Sequence, residues 1–263
     1  MDQDPVALGT MVTRAAKNAL STRYTLLPYL YTLFYHAKTN GDTVSRPLFF
    51  EYPADKHTYE RTVAETQFMW GSAFMVAPVT QPNITKIKAY LPEGVWYPFS
   101  HNKVGKPIAS TGEYMEFEAP VDEVNTFLRG GNVVPRLPVR QTTTAMRTEK
   151  FTLMVVPDVK GEARGQLYWD DGDSIGTIES GNYTLVTFDV KNATLVTNPQ
   201  HNEYAGGVTT DTIHVLGVNK KPTTVSIDGQ MATNVTYSQD PQWLSVYGLT
   251  IDLGKSKHTV EWK

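Results

Sequence analysis

Cysteine is absent from the 263-residue sequence. The chain therefore has no disulfide bond, no thiol nucleophile and no cysteine-ligated zinc site, although this absence does not fix its compartment. No apolar run approaches the ~18 residues of a membrane-spanning helix, and the first ten residues lack the basic start and apolar stretch of a signal peptide. A net charge of −3 gives no electrostatic reason to expect nucleic acid or an anionic membrane as a partner.

The composition indicates a globular protein, with 40% hydrophobic and 11% aromatic residues. The length is sufficient for one large domain or two modest domains, each with its own core.

The run from Arg23 to Phe50 carries the clearest helical signal in the sequence. Apolar residues recur there at intervals of three and four: Leu26, Leu27, Leu30, Phe34 and Ala37. This spacing places them on one face of a helix. Tyr24, Tyr31 and Tyr35 widen that stripe, so we expect the helix to be buried on most sides. Because Pro28 lacks a backbone donor and crowds the preceding turn, we expect a kink near residues 23–25. Asn40 and Gly41 provide a left-handed stop to the helix.

The helix is followed by a short, largely apolar run, Val44 to Tyr52, without strict alternation. This pattern is typical of a parallel strand buried on both faces, and the sequence offers no other strand of this kind. We interpret the segment as the last helix-to-strand step of a larger barrel whose beginning is absent. A second amphipathic stretch, Thr58 to Phe68, follows it.

After Gly71 the periodicity changes to two, which predicts strands separated by turns that contain proline and glycine. The first group of predicted strands is 74–79, 87–91, 114–118, 125–128 and 132–134. The polar segment 137–150 is predicted as a linker or a long connection. The second group is 151–156, 166–169, 183–190, 213–217, 224–227, 244–253 and 259–262.

The predicted fold is therefore mostly β: the end of a (β/α)₈ TIM barrel followed by two antiparallel β-sandwich domains. We expect the barrel remnant at residues 1–72, a proximal sandwich at 73–140 and a distal sandwich at 141–263.

Four N-x-T sequons predict N-glycosylation and a secretory route for the intact protein. Their asparagines are Asn83, Asn182, Asn192 and Asn234. Each lies in a polar stretch typical of a loop or an exposed strand edge. A signal sequence would then lie upstream of Met1.

Six motifs occur in a fixed order along the chain. They are RYTLLPYLYTLF (23–34), SRPLFFEYPAD (45–55), QFMWGSAFMVAPV (67–79), YLPEGVWY (90–97), FLRGGNVVP (127–135) and LYWDDGDS (167–174). Together they resemble the C-terminal part of the α-glucosidases of glycoside hydrolase family 31. The resemblance covers almost the whole chain.

This resemblance implies a retaining hydrolase that removes terminal α-linked glucose from maltose, oligosaccharides or starch ends, with no cofactor. Hydrolysis with retention of the anomeric configuration requires two carboxyl groups about 5–5.5 Å apart. In this family both are aspartates of middle barrel strands, in W-x-D-M-N-E-like and G-D-N-like motifs, and a substrate-contacting histidine lies in an R-N-H-N-like loop. None of these motifs occurs in the sequence, so we assign no catalytic residue and expect the chain alone to be inactive.

The densest carboxylate cluster is Asp170, Asp171 and Asp173. Adjacent residues of a tight turn point apart and usually into solvent, so they cannot flank a sugar from two sides. A hairpin turn with side chains bonded to local backbone is the favoured interpretation. A calcium loop is the alternative, but Ile175 and Asn182 occupy two of its ligand positions.

Glu51 and Asp55 are the candidates for substrate contact, because the loop after a barrel strand faces the active-site mouth. The structural alternative is a buried hydrogen-bonded pair between Glu51 and an arginine such as Arg46 or Arg23.

The remaining side chains that could bind a metal ion or a sugar carry weaker signals. The six histidines lack metal-ligand spacing and are interpreted as surface or satisfied core residues: His36, His57, His101, His201, His214 and His258. Four tryptophans, which are able to stack on sugars, are interpreted as core residues: Trp70, Trp96, Trp169 and Trp243.

Two alternatives to an enzyme tail stay open. One is a stand-alone carbohydrate-binding or structural module, which a row of exposed tryptophans would favour. The other is a chain that pairs noncovalently with a separate N-terminal barrel chain, which would cover the apolar stripe of residues 23–34.

Overall fold

The computed structural model describes residues 3–263. The chain forms two compact units: the first extends to Thr25 and again from Thr43 to Arg129, and the second comprises Leu26–Asp42 and Gly130–Lys263. Most regular structure is β, as predicted. No helix among the described residues is long and apolar enough to span a membrane.

Six helices are present in the described part of the chain: α1 (Thr10–Thr25), α2 (Leu27–Asn40), α3 (Leu48–Glu51), α4 (Arg61–Thr66), α5 (Thr143–Arg147) and α6 (Thr177–Ser180). A 3₁₀ turn, Lys56–Tyr59, precedes α4. The kink predicted near residues 23–25 is observed one residue later: the helix is interrupted at Leu26, and Pro28 lies in the first turn of α2, where its missing N–H has no helical partner to lose. The predicted helix end is also confirmed, since Gly41 has φ 76° and its N–H donates to the Ala37 carbonyl.

The predicted parallel strand at Val44–Tyr52 is wrong. Only Ser45–Arg46 forms a strand in this segment, and it pairs antiparallel with Met69 and Trp70 of the strand Phe68–Trp70. Pro47 ends this strand because it has no N–H to donate, and its φ of −68° suits the start of α3. An apolar run without alternation cannot distinguish a buried strand from a short buried helix.

The first unit contains nine strands: β1 (Ser45–Arg46), β2 (Phe68–Trp70), β3 (Phe74–Ala77), β4 (Lys86–Leu91), β5 (Gly94–Ser100), β6 (Lys103–Val104), β7 (Ile108–Ser110), β8 (Glu113–Glu118) and β9 (Asn125–Arg129). Seven of them form one sheet in the order β1-β2-β3-β9-β5-β6, with β7 beside β5. Strands β4 and β8 form a separate antiparallel pair. The core contains Leu48, Met69, Trp96 and Phe127, all at most 1% exposed.

The second unit contains eleven strands: β10 (Asn132–Arg136), β11 (Phe151–Val156), β12 (Ala163–Trp169), β13 (Thr184–Lys191), β14 (Thr194–Asn202), β15 (Thr209–Leu216), β16 (Val225–Ile227), β17 (Gln230–Met231), β18 (Val235–Ser238), β19 (Trp243–Asp252) and β20 (His258–Trp262). Their order in the sheet is β17-β16-β20-β14-β13-β12-β10-β11-β15-β19-β18. Helix α2 packs against β12 and β10.

Strand direction differs from the prediction at two places in this sheet. β10 lies parallel to β12, and β11 lies parallel to β15, while the other pairings are antiparallel. The segment predicted as a linker or long connection, 137–150, joins β10 to β11 and contains α5. It is ordered because Leu137 and Met146 are buried at 2% exposure and Thr142 caps the helix.

Candidate functional site

Glu51, the last residue of α3, lies between two arginines. Its Oε1 accepts a hydrogen bond from Arg46 Nη1 at 2.8 Å, and its Oε2 accepts one from Arg129 Nη1 at 3.0 Å. The carboxylate side chain is 15% exposed. The predicted pairing of Glu51 with an arginine is therefore confirmed for Arg46, and Arg129, at the end of β9, is a partner that the sequence did not indicate.

Arg129 also contacts an aromatic ring. Its guanidinium carbon lies 4.4 Å from the ring centroid of Tyr52, the residue that follows Glu51. Burial raises the pKa of Tyr52, so this phenol is neutral throughout the physiological range. The arrangement joins α3 to β1 and β9, and both carboxylate oxygens of Glu51 are already hydrogen-bonded.

Asp55 caps the 3₁₀ turn that precedes α4. Its Oδ1 accepts from the His57 backbone N–H at 3.0 Å, and its Oδ2 accepts from the Tyr90 hydroxyl at 2.7 Å. Burial and this bond raise the pKa of Tyr90. Next to it, Glu60 accepts from the Tyr114 hydroxyl at 2.5 Å. Asp55 thus ties the turn to β4.

Asp170 is the most strongly coordinated carboxylate in the second unit. It is 1% exposed. Three hydroxyl groups donate to it: Tyr31 at 2.7 Å, Tyr168 at 2.7 Å and Thr177 at 2.6 Å. The backbone N–H of Gly172 adds a fourth bond at 2.8 Å. Burial opposes its ionisation, but these bonds together lower the pKa of Asp170.

Two contacts attach α2 to the sheet, one to Asp170 and one to the backbone of Tyr168. Tyr31 lies on α2, and on the same helix Thr32 Oγ1 accepts from the backbone N–H of Tyr168 at 3.0 Å. Arg147, at the end of α5, has its guanidinium carbon 4.1 Å from the Trp169 ring centroid and donates to the Asp170 carbonyl. Asp170 is therefore a structural anchor rather than an exposed turn residue.

Asp171, the next carboxylate along the chain, bonds to its own turn, as predicted. Asp171 Oδ1 accepts from the backbone N–H groups of Asp173 at 3.0 Å and Ser174 at 2.9 Å, and the Ser174 hydroxyl donates to Oδ2 at 2.5 Å. The Ser174 hydroxyl and these amides lower the pKa of Asp171 to about 2. Ile175 is fully exposed. Among residues 3–263 no group of three or more histidine, aspartate or glutamate side chains is placed to bind a metal ion.

The histidines bind protein groups instead. His57 pairs with Glu60, His101 with Thr22, His201 with the Gly181 carbonyl, His214 with Ser245, and His258 with Asp228 and Ser256. His36 lies beside Gln166. These contacts agree with the prediction that the histidines are surface residues or hydrogen-bonded core residues.

All five tryptophans lie in the described residues, and none is exposed. Trp96, Trp169 and Trp262 are buried at 8% exposure or less, and Trp70 and Trp243 are half-buried. No row of exposed tryptophans is available to stack on a sugar.

The four sequon asparagines are exposed and lie outside regular strands: Asn83, Asn182, Asn192 and Asn234. Asn83 and Asn192 have positive φ, 62° and 53°, a conformation that asparagine tolerates in turns.

Comparison with known proteins gives one consistent result. Residues 41–134 match the Glycosyl hydrolase family 31 C-terminal domain. Lysosomal alpha-glucosidase of Rattus norvegicus is 38% identical over 262 residues, which is 94% of this chain and 27% of that protein. Intestinal sucrase-isomaltase of Rattus norvegicus is 37% identical over 263 residues, 97% of this chain and 14% of that protein.

Solved structures agree on the fold. The glucosidase II alpha subunit, in its Tris-bound form, superposes with a TM-score of 0.87 at 25% identity, covering 100% of this chain and 30% of that one. The Flavobacterium johnsoniae GH31 dextranase complexed with glucose gives a TM-score of 0.86 at 22% identity, over 100% of this chain and 34% of that one. The chain therefore spans about a third or less of the length of the proteins it matches.

These matches define the class first: the chain is part of a glycoside hydrolase family. It belongs to glycoside hydrolase family 31 and corresponds to the C-terminal part of the family's α-glucosidases, which confirms the resemblance carried by the six motifs.

Proposed function

We propose that this chain is the C-terminal portion of a retaining α-glucosidase that releases terminal α-linked glucose from maltose, oligosaccharides or starch ends. The observation that carries the proposal is the alignment of 94% of the chain, at 38% identity, with lysosomal alpha-glucosidase. The two catalytic carboxyl groups come from barrel strands outside this sequence, so the chain alone is inactive.

The proposed role of the chain is to brace the barrel. In this proposal residues 1–72 are the end of the (β/α)₈ barrel, 73–140 form the proximal β-sandwich and 141–263 the distal one. Two described anchors support such a role: α2 is fixed to β12 through Tyr31 and Asp170, and α3 is fixed to β9 through Glu51 and Arg129.

Glu51 and Asp55 act in this proposal by shaping a loop at the barrel mouth rather than by touching sugar directly. Both oxygens of Glu51 bind arginines, and both oxygens of Asp55 bind the His57 N–H and the Tyr90 hydroxyl. A substrate hydroxyl would have to compete with these partners. The partner of the chain is the N-terminal barrel, within the same protein or as a separate chain, and the complete enzyme acts on α-glucoside oligosaccharides.

We further propose that the intact protein follows the secretory route and is glycosylated. The exposed sequon asparagines Asn83, Asn182, Asn192 and Asn234 support this, as do relatives that are named lysosomal and intestinal.

The test is glucose release from maltose by the purified chain. We expect none, because the motifs that hold the family's two catalytic aspartates do not occur in this sequence. Glucose release that disappears in Glu51→Gln or Asp55→Asn would overturn the proposal. The rival function, sugar binding without catalysis, is disfavoured because none of the five tryptophans is exposed. If the inactive chain were retained on immobilised starch, that result would support sugar binding without catalysis instead.

A further inference from the structure

Three side chains at one end of the eleven-stranded sheet form a hydrogen-bonded row. Ser256 lies just before β20, His258 begins β20, and Asp228 lies in the turn between β16 and β17. The Ser256 hydroxyl oxygen is 2.9 Å from His258 Nε2, and His258 Nδ1 is 2.7 Å from Asp228 Oδ2. All three belong to the second unit, and the proposed glucosidase function uses none of them.

The aspartate is held rigidly by its turn. Asp228 and Gly229 have φ values of 50° and 80°, as expected of an Asp-Gly type I′ hairpin turn. Asp228 Oδ1 accepts from the Thr259 N–H at 2.7 Å and from the Thr259 hydroxyl at 3.3 Å, and the Asp228 N–H donates to the Thr259 carbonyl at 2.9 Å. One carboxylate oxygen is therefore fixed, and the other is directed at His258.

This geometry also determines where the histidine proton lies. An ionised carboxylate only accepts hydrogen bonds, so Nδ1 of His258 must donate to Asp228. In the neutral ring Nε2 is then an acceptor and faces the Ser256 hydroxyl, which donates to it. Burial opposes ionisation of Asp228, but the bonds from His258 and Thr259 together lower its pKa, which keeps the carboxylate charged near neutral pH.

The surroundings leave the serine open to reaction. Ser256 is exposed, whereas the His258 side chain is only 18% exposed. Within residues 3–263 the backbone N–H groups of Ser256 and Lys257 make no hydrogen bond. A backbone N–H group without a protein partner is one requirement for stabilising an oxyanion that forms on a group attached to Ser256. The ammonium group of Lys257, one residue away, adds positive charge.

We propose that Ser256 is an activated nucleophile for small, unhindered carboxylic esters, with His258 as its general base and Asp228 as the positioning residue for His258. The Ser256 oxygen attacks the ester carbonyl carbon while its proton moves to His258 Nε2. The tetrahedral intermediate expels the alcohol, which takes that proton, and an acyl-serine remains. Water then attacks the acyl carbon, its proton passes through His258 back to Ser256, and the carboxylic acid is released.

The test uses the whole 263-residue chain and two probes, a fluorophosphonate for labelling and 4-nitrophenyl acetate for turnover. Mass spectrometry locates the labelled residue. We expect a label on Ser256, its loss in Ser256→Ala, and labelling at least 100-fold slower in His258→Gln, since a general base contributes about 10²–10⁴ in rate. Ser238→Ala is the matched control, because the Ser238 hydroxyl donates only to the Asp240 carbonyl; its labelling should equal that of the unchanged chain.

The role of Asp228 has its own readout. Asp228→Asn preserves the turn preference but offers an amide to His258, which favours the wrong tautomer. The ¹⁵N shifts of the His258 ring should show the proton moving from Nδ1 to Nε2, together with a lower labelling rate. A label absent from Ser256, or one whose rate is the same in His258→Gln while the variant remains folded by circular dichroism, would overturn the proposal.

Discussion

Replacing Asp170 with asparagine removes half of the hydrogen-bond acceptor capacity at a buried carboxylate that accepts four hydrogen bonds. Oδ1 accepts from the Tyr31 hydroxyl at 2.7 Å and the Gly172 N–H at 2.8 Å. Oδ2 accepts from the Tyr168 hydroxyl at 2.7 Å and the Thr177 hydroxyl at 2.6 Å. An asparagine keeps one carbonyl oxygen and presents an NH₂ group to the donors on the other side.

The expected cost follows from these contacts. A hydrogen bond to a charged group is worth roughly 1.5–3 kcal/mol, and two are lost, so the free energy of unfolding should fall by about 3–6 kcal/mol. Breaking a buried ion pair from one side costs a similar ~3–5 kcal/mol, and the Arg147 Nη2 atom lies 3.7 Å from Asp170 Oδ1. At 1% exposure, water cannot replace the lost acceptor.

The assay is urea unfolding at pH 7, followed by circular dichroism, with Asp171→Asn as the matched control. Asp171 bonds only to its own turn, so the control should lose far less stability. Equal losses in the two variants, or a loss below ~0.5 kcal/mol in Asp170→Asn, would refute the anchor interpretation. Because the pKa of Asp170 is lowered in the fold, its contribution is present above the unfolded value of ~3.9 and disappears as pH falls through the folded value.

Three further predictions concern other sites. Arg129→Met leaves Glu51 with one arginine and should reduce the free energy of unfolding by about 1–3 kcal/mol in urea titration, whereas no loss would contradict the bridging role. Burial and then the Arg136 charge lower the pKa of His214 to about 4; the unfolded chain therefore takes up the proton first, and stability should fall between pH ~6.5 and 4, by roughly 3 kcal/mol. His214→Phe should flatten that pH profile. In a secretory expression host Asn83→Gln should remove one glycosidase-sensitive mass increment on a gel; an unchanged mass would show that this site is not used.

Much of the strand pattern was predictable because it depends on local alternation. The prediction for Phe151–Val156 matches β11 at both ends. Strand β5 was missed because its sequence, GVWYPFS, carries a proline and no alternation of apolar and polar residues. Strand β14 was missed because its second half, NPQHN, contains amide, imidazole and proline side chains that are typical of loops.

The anchors were not predictable for a different reason. Asp170 follows a strand and begins a Gly-containing turn, which indicates an exposed residue. Its burial depends on Tyr31, 139 positions earlier in the chain. Likewise, the second arginine of Glu51, Arg129, lies 78 positions away. Single-sequence patterns report local preference, whereas these contacts arise only from packing over long separations.

The central claim is that this chain is the tail of a larger family 31 α-glucosidase. Its most direct test is the size of the native protein, measured by immunoblot of the source tissue with an antibody raised to residues 90–97. We predict a single band several times larger than 29.4 kDa, since the chain covers 27% of the lysosomal relative. A single band near 29.4 kDa after removal of glycans would contradict it.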